Sequence, residues 1–450
     1  MMRQLWLRLL VLACATAMAF GLSGCGAGVP PGASAPATLT LPAAHGVVMG
    51  GQQPVAGVTL QLYQAGTTGY GSAATKLGSP VQTDANGNFN IPTNTCTAGS
   101  QVYLVGIGGQ PIAATMSSPA VTNNNLALMV GLGTCGGADL NNFINVNELT
   151  TVASVWALAP FMTGIANIGS SSTNAAGLAN AFATINEVVN TANGTTPGPA
   201  LPTGATLPTT EINTLGDILA ECINSGGGTE GDGSACGMLF EYAPNAAGTV
   251  FPTDTITAVM NIAQSPGRNV STLLRIVSPT PVFQPVLNVN MPPNDWTIAI
   301  TYTGGGLSTP TSIATDAAGA VWIANHGNSS VTKLSSTGAA VSGSPFTAGG
   351  VNAPSAIAID TSGNAWVANA GNSTITKLNS AGAGATGSPY SGNGLSTPAS
   401  IAIDGSGNLW VANTGANPVS AFTSSGGTLA GSPYSGGGTS APVSAAVTPK

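Results

Sequence analysis

Through the last third of the chain a unit of 44 residues repeats without insertion. Asp316, Asp360 and Asp404 are 44 positions apart, as are Trp322, Trp366 and Trp410, and Asn325, Asn369 and Asn413. Pro310, Pro354 and Pro398 keep the same step, and so do Tyr302, Phe346, Tyr390 and Tyr434. The second copy reads strand by strand. Ser355–Ile359 alternates small with branched apolar residues, as a strand packed on both faces requires. Asp360-Thr361-Ser362-Gly363-Asn364 is a hairpin turn, with an Asp that accepts backbone N–H groups and a Gly free to take positive φ. Ala365–Asn369 returns as a second strand, Thr374–Leu378 follows as a third, and Gly387–Tyr390 is expected in an outer strand where Pro389 is tolerated.

Four short strands per unit of this length describe one blade of a β-propeller. The pattern Pro-x-x-Ile-Ala-Ile-Asp-x-x-Gly-Asn-x-Trp-Val-Ala-Asn-x-Gly-Asn resembles the NHL repeat and the related blades of streptogramin lyases. Three full units are present, at about 310–353, 354–397 and 398–441, and a fourth begins at Ala441-Pro442-Val443. Closed propellers need at least four blades. The expectation for residues 296–450 is therefore a partial, three-blade, open propeller with exposed ends. Self-association or a shortened chain would account for it, as would cover from another domain.

At the other end, Arg3 and Arg8 precede an apolar run from Leu9 to Leu22, followed by Leu22-Ser23-Gly24-Cys25. A positive start, a short apolar core and small residues at the cut make an export signal over residues 1–25. Its Leu-Ser-Gly-Cys end resembles the bacterial lipoprotein signal. That resemblance implies lipidation of Cys25, a membrane as partner through that lipid, and, with Gly26 next, outer-membrane sorting in a Gram-negative cell. Residues 26–44 are rich in Pro, Ala, Gly and Ser and read as a flexible tether.

With Cys14 in the signal and Cys25 lipidated, Cys96, Cys135, Cys222 and Cys236 remain. Four cysteines allow three pairings. Cys96 with Cys135 and Cys222 with Cys236 is the expected set, because the second pair closes a glycine-rich loop, Ser225 to Ala235, with little core of its own. Zinc is a poor competitor, since no Cys-x-x-Cys spacing occurs and His45 and His326 are remote in sequence.

Residues 45–110 alternate in β fashion: Gly46-Val47-Val48, Pro54 to Tyr63, the turn Asp84-Ala85-Asn86-Gly87-Asn88, and Gln101 to Val105. They resemble the carboxypeptidase-regulatory or Cna-B type of small β-sandwich found as stalk modules in surface proteins. The lysine isopeptide bond of some relatives is not expected, since Lys76 is the sole lysine here and no glutamate precedes Glu148. The oxygens of Asp84, Asn86 and Asn88 suit Ca²⁺ in principle, but a hairpin turn uses the same residues.

From about 126 the period becomes helical, giving a helical domain over 120–278. Asn145 with Glu148 makes a capping-box-like start, and Val152, Val155, Trp156, Ala159 and Met162 follow at helical spacing. Leu178, Phe182, Ile185 and Val189 form a second face, Leu215, Ile218, Leu219 and Cys222 a third, and Ile256, Val259 and Met260 with Leu273, Leu274 and Val277 suggest two more. Thr150 to Ile168 is apolar, yet its threonines, Ser154, Pro160 and Asn167 mark a buried helix rather than a membrane span. The Pro-rich stretch 279–295 reads as a stiff linker. The fold class is thus multidomain α+β: a small β-sandwich, a helical bundle and a partial propeller.

Only 5% of the residues are charged. Losing Arg3 and Arg8 with the signal leaves six basic against 15 acidic residues, so nucleic-acid binding through phosphates is excluded as an expectation. Catalytic machinery is sparse. Streptogramin lyases use histidine with a glutamate from neighbouring blades and magnesium. Here His326 is the only histidine of the repeats, its counterparts are Ala370 and Thr414, and no glutamate follows Glu241. No Ser-His-Asp set or phosphate-binding loop is evident, and no cofactor is implied. The leading expectation is an exported, lipid-anchored protein whose repeats bind a protein or glycan. The alternative is a lyase or hydrolase completed by blades from a second copy, with His326 as its base.

Overall fold

In Ala44–Gly50 the alternation buries Gly46, Val48 and Gly50 and turns His45 outward. This strand pairs antiparallel with Asn88–Ile91 and Gln53–Ala56 and parallel with Ile144–Val146. Gln53–Ala56 pairs onward with Gln110–Pro111. A second, antiparallel sheet runs in the order Ala127–Thr134, Gln101–Ile107, Thr59–Gln64, Thr75–Gln82. The computed structural model describes residues 37–111, 121–137, 143–415, 418–438 and 440–446. Cys25, the signal 1–25 and the tether as far as residue 36 lie outside the described residues. Leu39–Lys450 form a compact unit of their own.

Among the described residues six α-helices occur after the two sheets: α1 (Glu148–Leu158), α2 (Ala175–Val188), α3 (Thr209–Ile223), α4 (Ala235–Tyr242), α5 (Thr255–Gln264) and α6 (Val270–Leu274). The chain is therefore mixed α+β. Two expectations for this region need correction. The run from 126 was expected to be helical, but Ala127–Thr134 is a strand whose first six residues are all buried. A strand covered on both faces shows no alternation and reads like a buried helix. The first helix is capped by Asn147 rather than Asn145, which sits in the strand Ile144–Val146, and Thr150 completes the capping box.

The hydroxyls inside these apolar helices have a task. Thr255 Oγ1, Thr151 Oγ1 and Ser154 Oγ accept the N–H groups of Ala127, Met129 and Gly131 at 2.9, 2.9 and 3.0 Å. They satisfy the free edge of the second sheet, where unpaired donors would be costly once buried. Val48, Leu60, Tyr103, Phe182, Leu219 and Trp296 belong to one continuous buried cluster, so the strands and helices share a core instead of forming two. The expected linker 279–295 is also part of the packing. Asp217 of α3 accepts the N–H groups of Val282 and Phe283 at 2.8 and 3.0 Å, and the Phe283 ring is buried. No helix among the described residues is long and apolar enough to cross a membrane.

Cys96–Cys135 and Cys222–Cys236 are disulfides, the expected pairing. Paired cysteines mark maturation in an oxidising, exported environment. Replacing both Cys222 and Cys236 by serine is expected to lower the unfolding free energy by about 3 kcal/mol, the chain-entropy value for a loop of this size. Urea unfolding reads this directly, and an unchanged midpoint would show that the loop closure contributes nothing.

The 44-residue units form three successive three-stranded antiparallel sheets: Pro310–Thr315, Val321–Asn325, Ser330–Leu334; then Pro354–Ile359, Ala365–Asn369, Thr374–Leu378; then Pro398–Ile403, Leu409–Asn413, Val419–Phe422. The expected fourth strand is reduced to single bridges, Val331 with Phe346, Ile375 with Tyr390 and Val419 with Tyr434. The reason is local. Pro389 has no N–H, and the next donor across, Lys377 N–H, goes to Ser388 Oγ at 3.0 Å, as Lys333 N–H goes to Ser344 Oγ at 3.0 Å. Consecutive sheets stack face to face. Trp322 packs with Ile357, Val367 and Leu378 of the second unit, and Trp366 packs with Leu409, Val411 and Phe422 of the third.

Ahead of the first sheet, Thr301–Tyr302 pairs with Ala205–Thr206 of the helical part. The Tyr302 ring lies against Gly338 as Phe346 lies against Gly382 and Tyr390 against Gly426, places where any Cβ would collide with the ring. The leading end of the array is thus joined to the rest of this chain, cover from another domain being one of the expected ways to account for an exposed end.

Candidate functional site

Each unit builds the same polar cluster where its first turn meets its second strand. Asp360 Oδ1 accepts the N–H groups of Ser362 and Asn364 at 3.0 and 2.9 Å and closes the turn. Its Oδ2 accepts Trp366 Nε1 at 3.0 Å, while Asp316 takes Trp322 at 3.2 Å and Asp404 takes Trp410 at 3.1 Å. The turn therefore orients the indole that packs on the next sheet. Lys333 and Lys377 stand opposite Trp322 and Trp366 in the cross-strand register. Each Nζ lies 4.4 Å from the ring centroid and 3.3 or 3.5 Å from the Asp oxygen. Each also donates to a carbonyl of the following unit, Ser380 at 2.9 Å or Ser424 at 2.8 Å, so one ammonium ties two sheets together. Sequence reasoning passed over these lysines, although their own spacing of 44 was there to be read.

Burial works against the charge of Asp316 and Asp360. Bonds from Trp322, Ala320 and Lys333, and from Asn364, Trp366 and Lys377, nevertheless hold both carboxyls below the usual range. In the third unit Trp410 and Asn408 hold Asp404 down to about 2.

Asn325, Asn369 and Asn413 end the second strands and are fully buried. Asn369 Oδ1 accepts Asn352 N–H at 3.0 Å, and its Nδ2 donates to Thr374 Oγ1 and Thr376 Oγ1 at 3.1 and 2.9 Å. Asn325 and Asn413 repeat the arrangement with Ser308 and Ser396 N–H, and with Thr332 and Ser420 hydroxyls. These side chains are consumed by the architecture.

His326 is exposed, and its side chain has no hydrogen-bonding or ionic partner among the described residues. Its backbone N–H reaches Thr309 O at 3.1 Å, and Ala370 and Thr414 do the same toward Ala353 and Thr397, both at 3.2 Å. The imidazole is therefore not needed to form the unit. The structure brings no carboxylate, thiol or second histidine to it among the described residues. The turn at Asp84 is the same device as those of the repeats: Asp84 Oδ1 accepts Asn86 and Asn88 N–H, both at 2.8 Å, and the Asn88 amide donates to Oδ2. No group of three His, Cys, Asp or Glu that could hold a metal occurs among the described residues.

Two further features stand out. A cleft of about 250 Å³ bordered by Gly66, Thr67, Ser100, Gln101, Ser170 and Leu178 is lined without a titratable group. At the leading end of the array, buried Glu187 of α2 accepts Tyr302 Oη at 3.2 Å, and its second oxygen has no partner. Burial lifts Glu187 to about 7, and burial together with Glu187 lifts Tyr302 to about 12.

No protein-family model and no curated protein matches this chain. Among solved structures it is similar to a streptogramin B lyase, at 20% identity over 27% of this chain and 40% of that one, with a TM-score of 0.25. It is also similar to a catalytically inactive virginiamycin B lyase from Staphylococcus aureus with quinupristin, at 19% identity over 32% of this chain and 46% of that one, TM-score 0.27. Kuenenia stuttgartiensis hydrazine synthase matches at 18% identity over 32% of this chain and 40% of that one, TM-score 0.27. The chain spans less than half the length of each of these proteins.

Proposed function

We propose that the chain is an exported protein, held at an envelope membrane through lipid on Cys25, whose three stacked blades form an open propeller arc of the NHL type that binds a protein or glycan. The N-terminal sheets, read as a stalk module, and the helices carry the arc. One observation supports the binding reading above the others. The residues that recur in every unit, Asp, Trp and Asn, make the turn and strand contacts that build the unit, while positions that differ between units, such as His326, Ala370 and Thr414, follow the second strand at one end of each sheet. A rigid repeated frame with variable loop residues at one end is suited to recognition. The lyase or hydrolase reading, with His326 as base and blades from a second copy, draws on the exposed and unengaged imidazole.

Two measurements test this. Metabolic labelling with a fatty acid is expected to mark the wild type and not Cys25→Ala; label on the variant overturns the anchor. Peptide and glycan arrays probed with the mature protein are expected to show saturable binding with no turnover of the bound ligand. Turnover of a bound ligand that stops with His326→Ala would replace the binding reading with the enzymatic one.

A further inference from the structure

The third unit departs from the first two at one position. The register that sets Lys333 opposite Trp322 and Lys377 opposite Trp366 sets Ala421 opposite Trp410. The turn and the aromatic stack around that position are retained. Asp404 Oδ1 accepts Ser406 and Asn408 N–H, both at 2.9 Å, and Oδ2 accepts Trp410 Nε1 at 3.1 Å and Asn408 Nδ2 at 3.0 Å. Trp410 stacks on Tyr434 with centroids 5.4 Å apart and an interplanar angle of 27°, close to the 5.7 Å and 29° of Trp366 on Tyr390. The ammonium is missing, since among the described residues Asp404 has no cationic partner, and no following sheet among them supplies a carbonyl like those that Lys333 and Lys377 also reach.

The second unit shows that the place can be filled. Asp360 Oδ2 takes Asn364 Nδ2 at 2.9 Å, Trp366 Nε1 at 3.0 Å and Lys377 Nζ at 3.5 Å at once. The same oxygen of Asp404, with the first two donors already in position, can accept the third. Access differs as well. Trp322 and Trp366 are buried against the next sheet, whereas Trp410 is only half-buried.

We propose that Asp404, Trp410 and Tyr434 form a binding site for a primary alkylammonium group, the side chain of a lysine presented by a partner polypeptide, which takes the place that Lys333 and Lys377 take inside the first two units. The inference deepens the binding reading above, and its use by a partner rests on that reading. The attraction has two parts that the chain already combines twice, an ionised carboxylate and the negative face of an indole. A compact ammonium on an aliphatic stem is the group that the first two units already seat there.

The test uses the full mature protein and the indole N–H resonances of its tryptophans, with the Trp410 signal assigned through Trp410→Phe. Titration with Nα-acetyl-lysine methylamide is expected to give a saturable shift of the Trp410 signal in the millimolar range. The same probe acetylated at Nε is expected to give none. Asp404→Asn and Ala421→Lys should each weaken the response at least tenfold, the second by filling the site from within, and Asp316→Asn should leave it unchanged. The site is overturned if wild type shows no Trp410 shift, if the Nε-acetylated probe shifts it equally, or if both variants respond like wild type. Lysine-bearing peptides should bind at least tenfold tighter than the single residue; equal affinity overturns the polypeptide as source and leaves a small-amine site. A Trp410 response alongside blank peptide and glycan arrays refutes the wider binding reading while the ammonium site stands.

Discussion

Trp366→Ala is expected to lower the unfolding free energy by about 4 kcal/mol, the usual cost of emptying a large aromatic site in a core. The ring is 1% exposed and lies between the second and third sheets, against Leu409, Val411 and Phe422. Truncation leaves a cavity at that interface and removes the Nε1 donor that Asp360 accepts at 3.0 Å. It also strips Lys377 of the ring it covers, so a partly buried ion pair loses its packing. Trp366→Phe separates these contributions: most of the apolar contact stays, the hydrogen bond goes, and a loss of about 1–2 kcal/mol is expected. In a stacked array each unit is stabilised mainly by its neighbours, so a defect at the middle interface uncouples the units on either side. Trp322→Ala should match Trp366→Ala, and Trp410→Ala should cost clearly less because that ring is already partly exposed. Urea unfolding followed by circular dichroism checks the ranking; equal losses at all three positions would show that the indoles do not serve as interface residues between sheets.

The ranking also shows what was legible beforehand. The period of 44 put Asp316, Trp322 and Asn325 and their counterparts in register, and each sheet has the first three of the four strands the pattern implied. The pairing of the four cysteines followed from loop size and composition. Other features depended on long-range geometry. The strand Ala127–Thr134 is covered on both faces, so the alternation that marks a half-exposed strand is absent from it. Thr151 and Ser154 looked like polar interruptions of an apolar helix; only the position of the sheet edge shows them to be its acceptors. The step Lys333, Lys377, Ala421 stood in the sequence, yet it carries meaning only once Lys Nζ is seen over the indole and beside the turn carboxylate. The joining of Tyr302 to Ala205 spans nearly 100 residues of intervening chain and leaves no local trace.

Raising the pH from 5 to 9 is expected to destabilise the protein by several kcal/mol through Glu148, and Glu148→Gln is expected to remove most of that slope. Glu148 opens α1 and is completely buried. Its Oε1 accepts Gly51 N–H at 2.7 Å, and its Oε2 has no partner. Burial is the main cause that pushes its carboxyl up to about 8; the Gly51 bond opposes the shift and neighbouring Asp217 adds to it. Unfolded, the same group titrates near 4.5. Between these values the folded chain keeps a proton that the unfolded chain has released, so stability is highest below the unfolded pKa and falls as pH rises. The loss levels off once the folded group ionises, near pH 8. Each pH unit in the window is worth about 1.4 kcal/mol, which makes the total on the order of 4 kcal/mol. Asp217 and Glu187, both buried and both shifted upward, add slopes of the same sign, so some dependence persists in the variant. Glutamine keeps the acceptor for Gly51 and cannot ionise. At pH 5, where Glu148 is protonated in the folded chain, variant and wild type should unfold at similar urea concentrations. At pH 9 the variant should be the more stable by most of the difference. Parallel pH profiles for the two proteins would mean that Glu148 reaches water and ionises in the folded state, and the buried-proton account would be wrong.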